Sequence, residues 1–161
     1  MPVFTSQFFE NTPDGKQKVS PAILAQHGPI IDVAISIPQA LAELYTRQNK
    51  PIPSPIAGVG LIDTGATRSC VHDAIMRQLG VNPIGVATSG TAAGQVLHNL
   101  YPAHFTFPAA NINIDFSSVV GVNLTGQNVN GKSIIALIGR EVLSMGIFVY
   151  NGHVGAFSLA I

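Results

Sequence analysis

Leu61-Ile62-Asp63-Thr64-Gly65-Ala66 constrains this chain more than any other stretch. Two apolar residues run straight into an acidic one and then into small residues, so an apolar strand delivers a carboxylate to a tight turn. Such a carboxylate is costly to bury unless its surroundings supply hydrogen bonds or a shared proton. Gly65 lets the backbone come close enough to donate its N–H, and Thr64 adds a hydroxyl. A turn of this shape is suited to holding an aspartate rigid.

The remaining chain reads as short strands separated by turns. Behind Gly28-Pro29, Ile31-Asp32-Val33-Ala34-Ile35-Ser36-Ile37 alternates apolar with polar or small residues, the period of a half-buried strand. From Pro38 the period changes. Leu41, Leu44 and Tyr45 recur at helical spacing, so a helix is expected over 38–48. Pro51, Pro53 and Pro55 then impose an extended connection into the Asp63 strand. Beyond Ala66, Ser69 is placed to cap a second helix in which Val71, Ile75 and Leu79 share a face, with Gly80 ending it.

Val86 to Phe107 has strand character on both sides of Thr88-Ser89-Gly90-Thr91-Ala92-Ala93-Gly94, whose small residues suit a hairpin with a mobile tip. Further strands are expected over 112–122 and 133–138, the second running into a short helix at Gly139-Arg140-Glu141-Val142-Leu143-Ser144. Asn151-Gly152, between Ile147-Phe148-Val149-Tyr150 and the run from His153 to Leu159, predicts a closing hairpin. Residues 1–20 are polar and turn-rich, as in a loosely held arm or a hairpin. Together these signals predict a mainly β, barrel-like domain with two or three short helices.

At 161 residues the chain fits one domain, large enough to bury about two-thirds of its unfolded surface. Eight basic and eight acidic side chains cancel, which gives no electrostatic case for nucleic acid or an anionic membrane. Only 10% of residues are charged and 47% are hydrophobic, a balance that leaves apolar surface for a partner copy to cover. Cys70 is the single cysteine, so no internal disulfide is possible and nothing points to an oxidising compartment. No apolar run approaches the roughly 18 residues of a membrane span. Met1-Pro2-Val3-Phe4-Thr5-Ser6 lacks the basic region and apolar core of a signal peptide, so a cytoplasmic location is expected.

Asp63-Thr64-Gly65-Ala66, read with Ala136-Leu137-Ile138-Gly139-Arg140, resembles the retropepsin-like aspartic peptidases, including the small bacterial relatives of the retroviral enzymes. The likeness runs from about Gly28 to the end, with residues 1–27 as an N-terminal arm that contributes to a dimer interface and 28–161 as the peptidase domain. It implies a retropepsin-like (acid protease) closed barrel, one lobe per chain. It also implies a homodimer, because Asp-Thr-Gly occurs once and the family needs two such aspartates.

By that resemblance Asp63 is the catalytic aspartate, Thr64 interlocks with its mate beneath the two carboxylates, and Gly65 lies beside the dyad. Ala66 and Thr67 line the substrate path, and Ala92, Ala93 and Gly94 belong to a flap over bound peptide. Gly139 lets the late strand pass close under the active loop, and Arg140 is a buried brace for it. The retroviral enzymes carry an acidic residue directly after Asp-Thr-Gly-Ala. Here Thr67 and then Arg68 follow, so Arg140 must find another partner. The implied chemistry needs no cofactor and no metal, and the partners are a second copy and a peptide or protein substrate. The alternative is a catalytically weak or inactive module of the same fold that binds peptides or partners.

Two rival patterns are weaker. Gly126-Gln127-Asn128-Val129-Asn130-Gly131-Lys132-Ser133 matches a phosphate-binding loop, but such a loop must open a helix. Ser133 instead enters Ile134-Ile135-Ala136-Leu137-Ile138, which reads as a strand, so no nucleotide binding is expected. Cys70 and His72 lie near Asp63 in sequence, but two residues apart on a helix they would face different directions. Cys70 therefore reads as a small core residue. The five histidines are scattered without ligand spacing.

Overall fold

The computed structural model describes residues 3–91 and 94–161. The N-terminal part contains β1 (Val3–Gln7), β2 (Phe9–Asn11), β3 (Gln17–Val19), α1 (Pro21–His27), β4 (Ile30–Ser36), α2 (Gln39–Arg47) and β5 (Ile56–Ile62). The middle contains β6 (Cys70–His72), α3 (Asp73–Gln78), β7 (Gly85–Thr91), β8 (Gly94–Phe107) and β9 (Ile112–Val122). Then come β10 (Asn128–Val129), β11 (Lys132–Ile138), α4 (Arg140–Leu143), β12 (Ile147–Asn151) and β13 (Ala156–Ala160). The protein is mainly β with a few short helices. No described helix is long and apolar enough to cross a membrane.

Six strands close into a barrel in the order β11-β5-β4-β8-β9-β6, with β6 returning to β11. The pairs β11–β5 and β6–β9 are parallel and the other four are antiparallel. Closure depends on three residues, since Cys70 to His72 pair with Val120 to Val122 on one side while Cys70 and Val71 meet Leu137 and Ala136 on the other. Alternation fills the interior. Ile31, Val33 and Ile35 on β4, and Tyr101, Ala103, Phe105 and Phe107 on β8, point inward and are buried. Each large apolar side chain so buried contributes about 1.5–3 kcal/mol.

Beside the barrel, β1, β13 and β12 form a three-stranded antiparallel sheet with β13 in the middle. Phe157 on β13 holds it down, with ring centroids 5.7 Å from Phe4, 6.1 Å from Phe148 and 6.4 Å from Phe8. Residues near the N-terminus therefore do two things: β2 and β3 make a hairpin, and β1 runs the full length of β13. The helix α1 has no counterpart in the periodicity reading. Pro21 sits in its first turn and Leu24 anchors it in the core.

Three local expectations are corrected. The segment after Ala66 is not a helix capped by Ser69: Cys70 to His72 form a strand, and α3 begins only at Asp73. Pairing on both sides closes the barrel and outweighs the local helical pattern. As a consequence Cys70 and His72 share one face, because side chains two apart on a strand point the same way. Asn151-Gly152 does lie in a hairpin, but Asn151 still pairs with Ala156 and the chain reverses over 152–155, with Gly155 at φ 58°. The two-residue turn occurs instead at Asn130-Gly131, with φ 50° and 76°, between the paired residues Val129 and Lys132.

Candidate active site

β5 delivers Asp63 from the middle of the barrel wall, between antiparallel β4 and parallel β11. The parallel ladder extends one step further, because the Asp63 N–H donates to the Ile138 carbonyl at 2.9 Å. Beyond it the chain turns back on the carboxylate: Asp63 Oδ1 accepts the Gly65 N–H at 2.9 Å and the Ala66 N–H at 3.2 Å. A Cβ on Gly65 would lie 3.1 Å from that oxygen, tighter than ordinary contact, which is why a glycine suits the position. Asp63 Oδ2 accepts no hydrogen bond among the described residues. One oxygen is therefore fixed by backbone amides, while its half-buried carboxylate keeps the other available.

The loop is held by the start of α4. Arg140 Nη1 donates to the carbonyls of Thr64 and Gly65 at 2.9 and 3.0 Å, and its Nη2 donates to Thr67 Oγ1 at 2.7 Å. Backbone bonds from Arg140 N–H to Ala66 O, 2.9 Å, and from Glu141 N–H to Thr67 O, 3.2 Å, run alongside. Arg140 is exposed rather than buried, because its guanidinium lies along the outer side of the loop. Its partner is Thr67 together with two carbonyls, so no acidic residue is needed next to the loop.

Below, the approach is tighter. Gly139 N–H donates to Ser69 Oγ at 3.0 Å, and Ser69 N–H donates to Glu141 Oε1 at 2.6 Å. A Cβ on Gly139 would sit 2.5 Å from the Arg68 carbonyl carbon, which no rearrangement of a flexible side chain could relieve. Arg68 reaches away from the loop, its Nη2 donating to Ser118 O and Oγ at 2.8 and 2.9 Å. The bracing by Thr67, Ser69 and Glu141 is not visible in sequence. These residues are far from Gly139-Arg140 along the chain or are individually unremarkable, and only the barrel register joins them.

Thr64 and Gly65 are exposed at the tip of this loop. Of the residues expected in a flap, Gly94 opens β8 with φ 121° and pairs with Thr91, whereas Ala92 and Ala93 lie outside the described residues. Cys70, half-buried, has its thiol pushed up to about 11, first by burial and then by the negative charges of Asp63 and Glu141. It is thus held as a thiol at neutral pH and is no nucleophile. Among the described residues no group of three or more His, Cys, Asp or Glu is placed to hold a metal. Lys132 and Ser133 open a strand rather than a helix, and Lys132 Nζ pairs with Asp32 Oδ1 at 2.7 Å. A cleft of about 550 Å³ opens beside that pair, lined by Val33, Ala57, Gly58 and Ser133 but not by Asp63. Its two charged groups neutralise each other, so the chemistry is better sought at the carboxylate than at this cleft.

No protein-family model matches the chain, and no curated protein matches it. Among solved structures it is similar to the crystal structure of a retropepsin-like aspartic protease from Rickettsia conorii. The identity is 11%, the match covers 98% of this chain and 92% of that chain, and the TM-score is 0.41.

Proposed function

We propose that the chain is an aspartic endopeptidase that works as a homodimer, its two Asp63 carboxylates activating a water between them. The observation that carries this reading is the Asp63 turn. A barrel strand and the Arg140 fork hold the turn and two backbone amides hold one carboxylate oxygen, while the adjoining Thr64 and Gly65 lie exposed where a second loop could meet them. Two carboxylates brought about 3 Å apart cannot both ionise, so they share one proton.

The ionised one takes a proton from water as the oxygen attacks the peptide carbonyl, and the protonated one donates to the carbonyl oxygen. Collapse of the resulting diol breaks the C–N bond, with a proton passing to the departing amine. Each subunit supplies one Asp63. Each Thr64 faces its mate across a two-fold axis, and Ala66, Thr67 and the segment around Gly94 line the path of the peptide. The arm over residues 1–27 joins the contact through β1. The open edge of β12, where Ile147 and Val149 are 61% and 52% exposed, offers further apolar surface to a second copy.

The test is cleavage of an unfolded protein under mildly acidic conditions by wild type and Asp63→Asn. Activity should be lost in the variant, should fall on dilution through the dimer dissociation constant, and should be suppressed when excess Asp63→Asn is mixed in. An active monomer, with activity per chain independent of concentration, would defeat the dyad. The second reading, a peptide-binding module without hydrolysis, is favoured by one observation. Thr67 is neutral and its hydroxyl already accepts from Arg140, so the acidic contact that the retroviral enzymes present at this position is missing. Peptide binding by wild type with no cleavage at any pH would select it.

A further inference from the structure

β8 pairs with β9 only from Leu100 onward, so residues 85–91 and 94–99 project from the barrel as the two paired strands of a ribbon. Packing does little to hold this ribbon, since Val86 and Leu97 are 65% and 71% exposed. His98 sits at its root. Its Nδ1 lies 3.2 Å from the carbonyl oxygen of Gly121 on β9, and its Nε2 lies 2.8 Å from Ser89 Oγ on β7. A carbonyl oxygen only accepts, so Nδ1 carries the proton, and in the neutral ring Nε2 accepts from the Ser89 hydroxyl. One imidazole thereby links β7 to β9, two strands with no backbone ladder between them.

The anchor on β9 is itself immobilised. A Cβ on Gly121 would lie 2.7 Å from Tyr101 Cε2 and 2.9 Å from Asp73 Oδ1, so the backbone there is pressed against both. Tyr101 is 1% exposed and donates its hydroxyl to Asp73 Oδ1 at 2.5 Å, while Asp73 also pairs with Arg77 on α3. Asn99, next to His98, donates to the same carboxylate oxygen at 3.4 Å. The ribbon root therefore meets a packed, hydrogen-bonded wall.

We propose that His98 is a positioning residue for peptide binding: by bridging Ser89 and Gly121 it clamps the β7–β8 ribbon in the seated arrangement. This rests on the peptidase reading, in which the ribbon covers substrate. If the ribbon is seated only part of the time, apparent peptide affinity falls by that fraction, so a clamp acts on KM rather than on the chemical step.

Long-range ¹H–¹⁵N NMR should show neutral His98 protonated at Nδ1. Protonation of neutral His98 at Nε2 would overturn the bridge. His98→Ala should raise KM for a test peptide about tenfold with kcat changed less than about twofold. It should also increase ¹⁵N-detected motion over 85–99, with the melting temperature within about 2 °C of wild type. Ser89→Ala removes one arm only and should raise KM about threefold. His98→Gln, whose amide can donate to Gly121 and accept from Ser89, should restore most of the loss. A wild type that cleaves nothing defeats the peptidase reading, while the tautomer and the ribbon dynamics still decide the clamp. Cleavage with KM and ribbon motion unchanged in His98→Ala defeats the clamp alone.

Discussion

The Asp63 loop and the β7–β8 ribbon are built on opposite plans. In the loop, two amides bind one carboxylate oxygen, a guanidinium binds two carbonyls and a hydroxyl, and glycines at 65 and 139 sit where a methyl group would collide. In the ribbon, glycines at 90 and 94 have nothing within 4 Å of an added Cβ, and the large apolar side chains face solvent. A group that must hold a charge in one place needs a shell that cannot relax, whereas an element that admits and releases a ligand is drawn from the least packed parts of a fold. The two regions share β9 as an anchor, the loop through Arg68 on Ser118 and the ribbon through His98 on Gly121.

The largest effect should come from the carboxylate itself. Asp63→Asn keeps the shape of the turn but can neither share the proton nor deprotonate water. Cleavage should fall by at least about 10³-fold, with circular dichroism unchanged. Residual cleavage above a few per cent in pure variant would move the chemistry out of the loop.

Glycine substitutions test the contrast in stiffness. Gly139→Ala places a methyl 2.5 Å from the Arg68 carbonyl carbon and should destabilise by about 3 kcal/mol, the upper end for overpacking. Gly90→Ala meets open space at an ordinary φ and should be neutral or stabilising by up to about 0.4–1 kcal/mol. Equal changes in urea midpoint would erase the distinction between the regions.

Arg140→Ala comes next. The guanidinium is exposed, so its loss strands no buried charge, and the cost should be about 1–2 kcal/mol rather than that of a broken buried pair. Arg140→Lys should not recover it, because a single ammonium cannot span Thr64, Gly65 and Thr67 as the fork does. Full recovery by lysine would mean that charge alone braces the loop.

The smallest effect is a pH dependence read at Cys70, whose thiol is raised from 9.0 to about 11. Between those values the unfolded chain has lost the proton and the folded one has kept it. Stability from this group is therefore intact below about pH 9 and is lost as pH rises towards 11. Cys70→Ser should flatten that slope. Asp63→Asn removes one of the negative charges raising the thiol, so alkylation of Cys70 at about pH 8.5 should quicken modestly. An unchanged rate would place the two groups out of electrostatic reach.

Much of this was legible in residue order. Alternation over 31–37, the break of period at Pro38 and the apolar run over 133–138 located β4, α2 and β11 to within a residue or two. Between Ser69 and Gly80 the helix α3 and its end at Gly80 were legible, but its start was not, because the spacing from Ser69 onward satisfies a helix. What overrides that spacing is remote: a hydroxyl taken by the Gly139 amide, an amide taken by Glu141, and a gap between β9 and β11 that Cys70 to His72 fill. The same limit explains the two Asn-Gly pairs. Each marks a reversal, but only at Asn130-Gly131 does strand register bring the flanking residues close enough for a two-residue turn.

Local chemistry determined where this chain could carry a rigid carboxylate, which segments could be strands, and that Ser133 runs into one rather than into a helix. Those properties depend on near neighbours, so they survive in the sequence alone. Tertiary structure decided the rest. It set Arg140 on the outer side of the loop with Thr67 as its partner, turned Ser69 from a helix cap into a link, and placed His98 between Ser89 and Gly121. Each of those contacts joins groups that closure of the barrel or pairing of the hairpin brings together. Residue order does not encode such distances until the strands have chosen their partners.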